Sequence, residues 1–365
     1  MIRIRTGLVT AILAERPGIQ ELAVQVDGAE ARAVNYPGAT GNVSPGEQVV
    51  LNTTAVHLGL GTGGDHFVMA RVPQPDADEA EAGHVMKLRY TPWQVKVQTA
   101  EEQAGPHHDA VAEVRSLDGL PVVCAPLHSM LGAAAAGARA GGASAVVHVM
   151  TDGAALPAAY SRQLHDLRET GLIDRVVTCG HAFGGDLEAV NVFSALLVAK
   201  AVAAADVVIV ADGPGKVGTE TAFGASEVAG GMALNAAHAL GGRPVASLRV
   251  NFADPSYRHY GLSPHSVTVL RTVALAPVHV AVPALEGEQR DRVWSALREA
   301  GLEDRHQLVE VSGQPALDLM AERGIQGQSM GRPLAEDPVF FLAAGAAGVL
   351  AGRMAAGDER WRSQT

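Results

Sequence analysis

From about residue 85 onward, short β-branched runs alternate with stretches whose apolar residues recur at helical spacing. Gln94–Gln98, Pro121–Cys124, Ala145–Met150, Arg175–Cys179, Val207–Ala211, Pro244–Val250, Ser266–Leu270, Val278–Val282 and Leu308–Val311 read as strands. Leu131–Ala140, Ala158–Thr170, Leu187–Ala204, Thr221–Leu240, Glu286–Ala300, Pro315–Arg323 and Asp337–Met354 read as helices. Strands without alternation, each followed by a helix, predict an α/β fold with a mostly parallel sheet and helices on both faces. The first 72 residues have another texture. Arg3–Leu13, Glu21–Val26, Ala31–Tyr36, Gln48–Asn52 and Phe67–Val72 are β-rich runs separated by Pro-Gly and Asp-Gly turns. They predict a small all-β, barrel-like domain over residues 1–72. An acidic Pro/Ala linker follows over 73–84, and the α/β domain that carries the site spans 85–357.

Composition narrows the function classes. The 365 residues are 47% hydrophobic and 18% charged, enough for a sizeable core. With 28 basic and 39 acidic residues the formal net charge is −11, which disfavours a phosphate-backbone partner. Aromatics at 4% leave few rings for stacking on bases, so no nucleic-acid partner is expected. Two cysteines, Cys124 and Cys179, are too few for a disulfide framework or a four-thiolate zinc site. The charged and apolar N-terminus reads better as a strand than as a secretory signal. The apolar stretch Val192–Val210 is interrupted by Lys200 and Asp206, so no membrane span is expected. The expectation is a soluble cytoplasmic protein, with homo-oligomerisation left open.

Ligands of open parallel sheets bind outside the carboxyl ends of the strands. Five consecutive strand ends here carry polar residues: His128-Ser129; Thr151-Asp152-Gly153; Gly180-His181 with Asp186 and Glu188; Asp212-Gly-Pro-Gly-Lys-Val-Gly-Thr219; and Asn251 through Asp254, Arg258, His259 and His265. His128, His181 and His259 lie in loops and are candidate acid/base groups, because imidazole titrates near neutral pH. Asp152, Asp186, Glu188 and Asp254 are carboxylates available to orient them, although Asp186 and Glu188 also suit the first turn of a helix. His148 within a strand, and His165 and His238 within helices, read as packing or solvated residues.

Gly213, Gly215 and Gly218 match the spacing of a dinucleotide fingerprint, but the loop comes late in the domain. Lys216 lacks the following Ser/Thr of a P-loop. Placed between a strand and a helix, Gly213–Thr219 is expected to offer backbone amides and a helix dipole to an anion. The alternative is that its glycines serve helix–strand packing. Arg258 and Arg332 could add planar guanidinium forks.

The runs Leu127-His128-Ser129-Met130, Cys179-Gly-His-Ala-Phe-Gly-Gly-Asp-Leu-Glu-Ala-Val-Asn191, Gly213-Pro-Gly-x-x-Gly-Thr219, Phe252-Ala-Asp-Pro with Arg258-His259 and Gly-Leu-Ser263-x-His265, and Ser329-Met-Gly-Arg332 together resemble a bacterial family catalogued only as a domain of unknown function. The resemblance extends over nearly the whole chain. It implies a bacterial protein and transfers no activity, cofactor or catalytic residue.

The residues themselves lead to an enzyme, a hydrolase or group-transfer catalyst, acting on a small anionic metabolite. His128, His181 or His259 would supply acid/base catalysis, oriented by Asp152, Asp186, Glu188 or Asp254. Ser129, Gly213, Gly215, Gly218, Thr219, Asp254, Arg258, His265 and Arg332 would bind the ligand. Ser129 as a nucleophile lacks the Gly-x-Ser-x-Gly elbow. Competing readings are a zinc or manganese enzyme at the same cleft, an acid/base pair made of the two cysteines, and a non-catalytic metabolite sensor or scaffold. The sequence assigns no cofactor and no metal.

Overall fold

The computed structural model describes residues 2–60, 63–78, 82–254 and 260–359. The chain divides into two compact units, Met1–Ala82 with Leu88–Lys96, and Gly83–Lys87 with Val97–Thr365.

The first unit is a closed five-stranded barrel: β1 (Ile4–Arg16), β2 (Ile19–Val26), β3 (Ala29–Asn35), β4 (Gln48–Asn52) and β5 (Asp65–Val72), in the order β1-β2-β3-β5-β4. Asp27 and Gly28 form a two-residue hairpin turn with φ of 51° and 80°, a conformation that Asp and Gly tolerate better than other residues. Register shifts along β1 between Val9/Ala11 and Ile12/Ala14 bend the strand. Val9, Leu22, Val24, Val49, Leu51 and Val68 fill the interior. The barrel-like reading of the N-terminal runs therefore holds.

The second unit is built on an eight-stranded parallel sheet. Its strands are β6 (Pro121–Cys124), β7 (Val146–Thr151), β8 (Arg175–Thr178), β9 (Leu187–Glu188), β10 (Val207–Asp212), β11 (Arg243–Ser247), β12 (His279–Pro283) and β13 (Gln307–Val311). They lie in the order β9-β8-β7-β10-β6-β11-β12-β13. Burial on both faces explains the continuous valine runs: Val207 to Ile209 are 0% exposed.

One face is covered by α1 (Leu131–Ala140), α2 (Arg162–Glu169), α6 (Gln314–Glu322) and α7 (Pro338–Ala355). The other packs against α3 (Val192–Ala201), α4 (Val228–Ala239) and α5 (Gly287–Glu299). Their glycine and alanine content has a packing cause. A Cβ on Gly348 would strike the carbonyl oxygen of Ala134, and one on Gly352 that of Ala138, so α1 and α7 touch backbone to backbone. Helix α7 is long and apolar enough to cross a membrane, yet 78% of it is buried inside the protein, as a core helix would be.

Three sequence expectations need correction. Ser266–Leu270 is helical, not a strand: Ser263 caps a helix over Pro264–Thr268 that runs into a π-helical turn over Val269–Val273. Ser-Pro at the helix start outweighs the β-branched residues behind it. The helix expected from Leu187 starts only at Val192, where Asn191 closes a capping box, and Leu187–Glu188 is an edge strand. The helix expected from Thr221 starts at Val228.

Candidate functional site

Strand β6 is the switch point of the sheet. Its crossover helix α1 packs on one face, while α4, which follows its neighbour β10, packs on the other. Oppositely departing loops open a crevice at the carboxyl ends of such neighbours. His128 stands in the single turn before α1 and meets the end of β10 there. Its Nδ1 lies 2.9 Å from the carbonyl oxygen of Asp212. A carbonyl only accepts, so Nδ1 carries the proton. Nε2 then accepts from the Ser161 hydroxyl at 2.6 Å, while Ser161 Oγ caps α2 by accepting the Leu164 N–H. Burial pushes the His128 pKa down to about 4, keeping the ring neutral at pH 7.

His148 is 6.3 Å from His128, ring to ring, and is likewise pushed down, to about 3, by burial. Its Nδ1 donates to the Ile209 carbonyl at 3.0 Å, and its Nε2 has no partner among the described residues. This is the packing histidine expected from its place in a strand.

Three strand ends interlock around two carboxylates. Asp212, 4% exposed, accepts from the Thr151 hydroxyl and, at 3.3 Å, from the Gly153 N–H, and it forms an ion pair with Lys216. Asp152 is exposed, and its carboxylate accepts the backbone N–H of half-buried His181 at 2.9 Å. A Cβ on Gly153 would lie 2.5 Å from Asp212 Oδ2, and one on Gly180 would collide with the Asp152 carboxylate. The glycines therefore make room for the carboxylates of neighbouring strand ends. Gly180 also has a φ of +67°, which favours glycine.

Asp186 and Glu188 do other work. Asp186 accepts from Arg168 and from the Val176 N–H at 2.7 Å. Glu188 accepts from Lys87 at 2.6 Å, the Thr178 hydroxyl at 2.7 Å and the Gly184 N–H at 2.7 Å. Lys87 is 0% exposed and also donates to the carbonyls of Thr178 and Ala182, at 3.3 and 2.5 Å. Both acids thereby fasten the loop that carries His181. Glu188 lies on a strand, so the helix-dipole explanation for that residue fails.

The Gly213–Thr219 loop also departs from expectation. It belongs to a hairpin closed by Thr219 N–H to Gly224 O at 2.8 Å and Ser226 N–H to Val217 O at 2.9 Å. Helix α4 begins only at Val228, so the loop does not run directly into a helix as the sequence suggests. Gly215 and Gly218 nevertheless face open space, whereas a Cβ on Gly213 would strike the Ala155 carbonyl.

Other expected residues lie in separate groups. Ser129 Oγ is 3.0 Å from Ser329 Oγ, on a small hairpin that also carries Arg332. Arg332 pairs with Asp254 at 3.4 Å and lies 4.0 Å from Asp337, whose carboxyl is raised by burial. His265 lines a pocket beside β11. Arg258 and His259 lie outside the described residues. The structure thus gathers His128, Asp152 and His181 with Asp212, rather than the whole expected set.

Burial raises the Cys124 thiol and pushes Cys179 up to about 12, so neither supplies a thiolate near neutral pH. Among the described residues no three His, Cys, Asp or Glu side chains converge on a metal position. Sequence reasoning missed Lys87, Ser161, Asp212 and Lys216 as individual site residues. Asp212 had a signal, an acid ending a wholly apolar strand before Gly-Pro-Gly; Lys87 had none.

Fold and crevice together define a parallel α/β protein with a polar site at its strand carboxyl edge. A family model matches residues 32–348, and the chain belongs to that family, DUF3866, described as a protein of unknown function. No curated protein and no solved structure matches the chain.

Proposed function

We propose that the chain is a cytoplasmic bacterial enzyme of the hydrolase or group-transfer class, acting on a small metabolite at the carboxyl ends of β7, β8 and β10. One observation carries the reading. Exposed Asp152 and half-buried His181 sit next to a buried Asp212–Lys216 ion pair, on backbone whose glycines exclude any larger side chain. Asp152 and His181 are the groups available for proton transfer to and from a bound molecule. Asp212 and Lys216 hold the loop after β10 against the end of β7. His128, neutral and buried, braces the same junction and is a positioning residue.

Charge balance refines the expected ligand. Lys216 is already neutralised by Asp212, and Arg332 by Asp254. A metabolite with hydroxyl or amine donors suits this carboxylate-rich edge better than a bare anion. An anionic substrate would depend on the open amides around Gly215.

The test is exposure of purified protein to a small-molecule cell extract in H2¹⁸O, followed by untargeted mass spectrometry. A hydrolase depletes one component and yields a product carrying ¹⁸O. A transferase depletes two components and yields a matched pair without the label. An extract that stays unchanged argues for the non-catalytic sensor or scaffold.

A further inference from the structure

The chain leaves the second compact unit after Lys87 and rejoins it at Val97. The excursion, Leu88-Arg-Tyr90-Thr-Pro-Trp93-Gln-Val-Lys96, holds two basic residues and no acidic one. It is braced by its own hydrogen bonds. The Leu88 carbonyl accepts the Thr91 N–H at 3.2 Å and the Thr91 hydroxyl at 2.8 Å, and the Thr91 carbonyl accepts the Gln94 N–H at 3.2 Å. The Trp93 N–H donates to the Thr91 hydroxyl oxygen at 3.3 Å. Leu88 and Tyr90 have φ of 50° and 60°, in the left-handed region that residues with a Cβ rarely occupy. Tyr90 is 100% exposed and Trp93 37%. The Tyr90 ring buries nothing within the chain, so packing does not account for the strained backbone that presents it. Strained turns and exposed Tyr and Trp side chains concentrate at recognition sites.

A matching segment lies just upstream. Pro73-Gln-Pro75-Asp-Ala-Asp78 follows β5 without helix or strand and is exposed throughout. Gln74 fastens it to the barrel, accepting the Arg71 N–H at 2.9 Å and donating to the Thr40 carbonyl at 3.4 Å. Asp76 and Asp78 make no ion pair with any described residue. We propose that the Leu88–Gln94 turn binds the Pro73–Asp78 segment of a second copy of this chain, each copy of a twofold dimer supplying both parts. Extended proline-containing segments dock on aromatic side chains, and the basic turn meets the carboxylates with opposite sign. Gln74 on one side and the Thr91 bonds on the other hold both parts in shape, so little order is lost on binding. A chain of net charge −11 repels its copies over most of its surface, which favours contact where one copy is positive and the other negative. The inference stands apart from the reading of Asp152 and His181.

Sedimentation equilibrium at low salt, over about 1–200 μM protein, provides the test. The parent should rise from the mass of one chain to that of two, with a midpoint that moves to higher concentration as salt is added. Tyr90→Gly should weaken association about tenfold. It should melt no lower than the parent, because glycine adopts the left-handed backbone freely and the lost ring packs on nothing within the chain. Asp76→Lys/Asp78→Lys should weaken association about tenfold as well, since like charges then meet. Mixing the two variants restores one intact contact of the two, so the mixture should associate more tightly than either variant alone. The proposal is overturned if the parent keeps the mass of one chain throughout, or if either folded variant associates like the parent. It is also overturned if Tyr90→Gly melts below the parent, or if the mixture does no better than its components.

Discussion

The Nδ1–H of His128 donates to the backbone carbonyl of Asp212 at 2.9 Å, tying the loop after one central strand to the end of its neighbour. This bond fixes the tautomer, the tautomer makes Nε2 an acceptor, and the acceptor fixes Ser161 at the start of α2. A buried neutral imidazole thus joins three elements at the edge where the candidate groups stand.

The same histidine makes stability depend on pH. Its folded pKa, about 4, lies below its ordinary 6.5, so the unfolded chain takes up the proton first on acidification. The stabilisation is present in full above pH 6.5 and is lost as pH falls toward 4, with an upper bound of roughly 3 kcal/mol. Denaturant unfolding across that window should show a shallower slope for His128→Gln than for the parent. Equal slopes would remove His128 from the account.

Ser161→Ala loses both a helix cap and the donor to His128 Nε2. About 1–2 kcal/mol of stability should go with it. Ser161→Thr, which keeps a hydroxyl, should retain most of it in the same unfolding assay.

Lys87→Met leaves the Glu188 carboxylate without its ammonium partner and frees two carbonyls. Breaking a buried pair on one side costs about 3–5 kcal/mol. The double variant Lys87→Met/Glu188→Gln should recover part of the loss, and a double-mutant cycle measures the coupling. Strictly additive losses would mean that the pair is not a unit.

Gly348→Val places a branched side chain against the Ala134 carbonyl between α1 and α7. Overpacking of this kind costs about 3 kcal/mol and should lower the melting temperature by several degrees. An unchanged melting curve would show that the two helices can part without penalty.

The sheet was legible because valine-rich runs ending in polar turns have few other uses, and the barrel because Asp-Gly and Pro-Gly turns cut β-rich runs to similar lengths. Ser266–Leu270 misled because three β-branched residues in a row imitate a strand, and only the Ser-Pro cap before them says otherwise. His128, Asp152 and His181 could be located as strand-end residues. Their hydrogen-bond partners could not, since pairings such as Lys87 with Glu188 span 101 positions and leave no local pattern. For the same reason the hairpin between Gly213–Thr219 and α4 was not legible: its closing bonds are invisible in composition.

The central claim is that Asp152 and His181 form a reacting centre at the strand carboxyl edge. It is tested most directly by comparing the parent with Asp152→Asn for the rate at which a component of the metabolite extract disappears. Asp152 is exposed, and an asparagine oxygen can still accept the backbone N–H of His181, so the variant should melt within about 1 kcal/mol of the parent. Loss of a general acid or base typically costs a factor of about 10²–10⁴, and the account predicts a fall of that size in turnover. Turnover by a folded Asp152→Asn protein at the parental rate would contradict it.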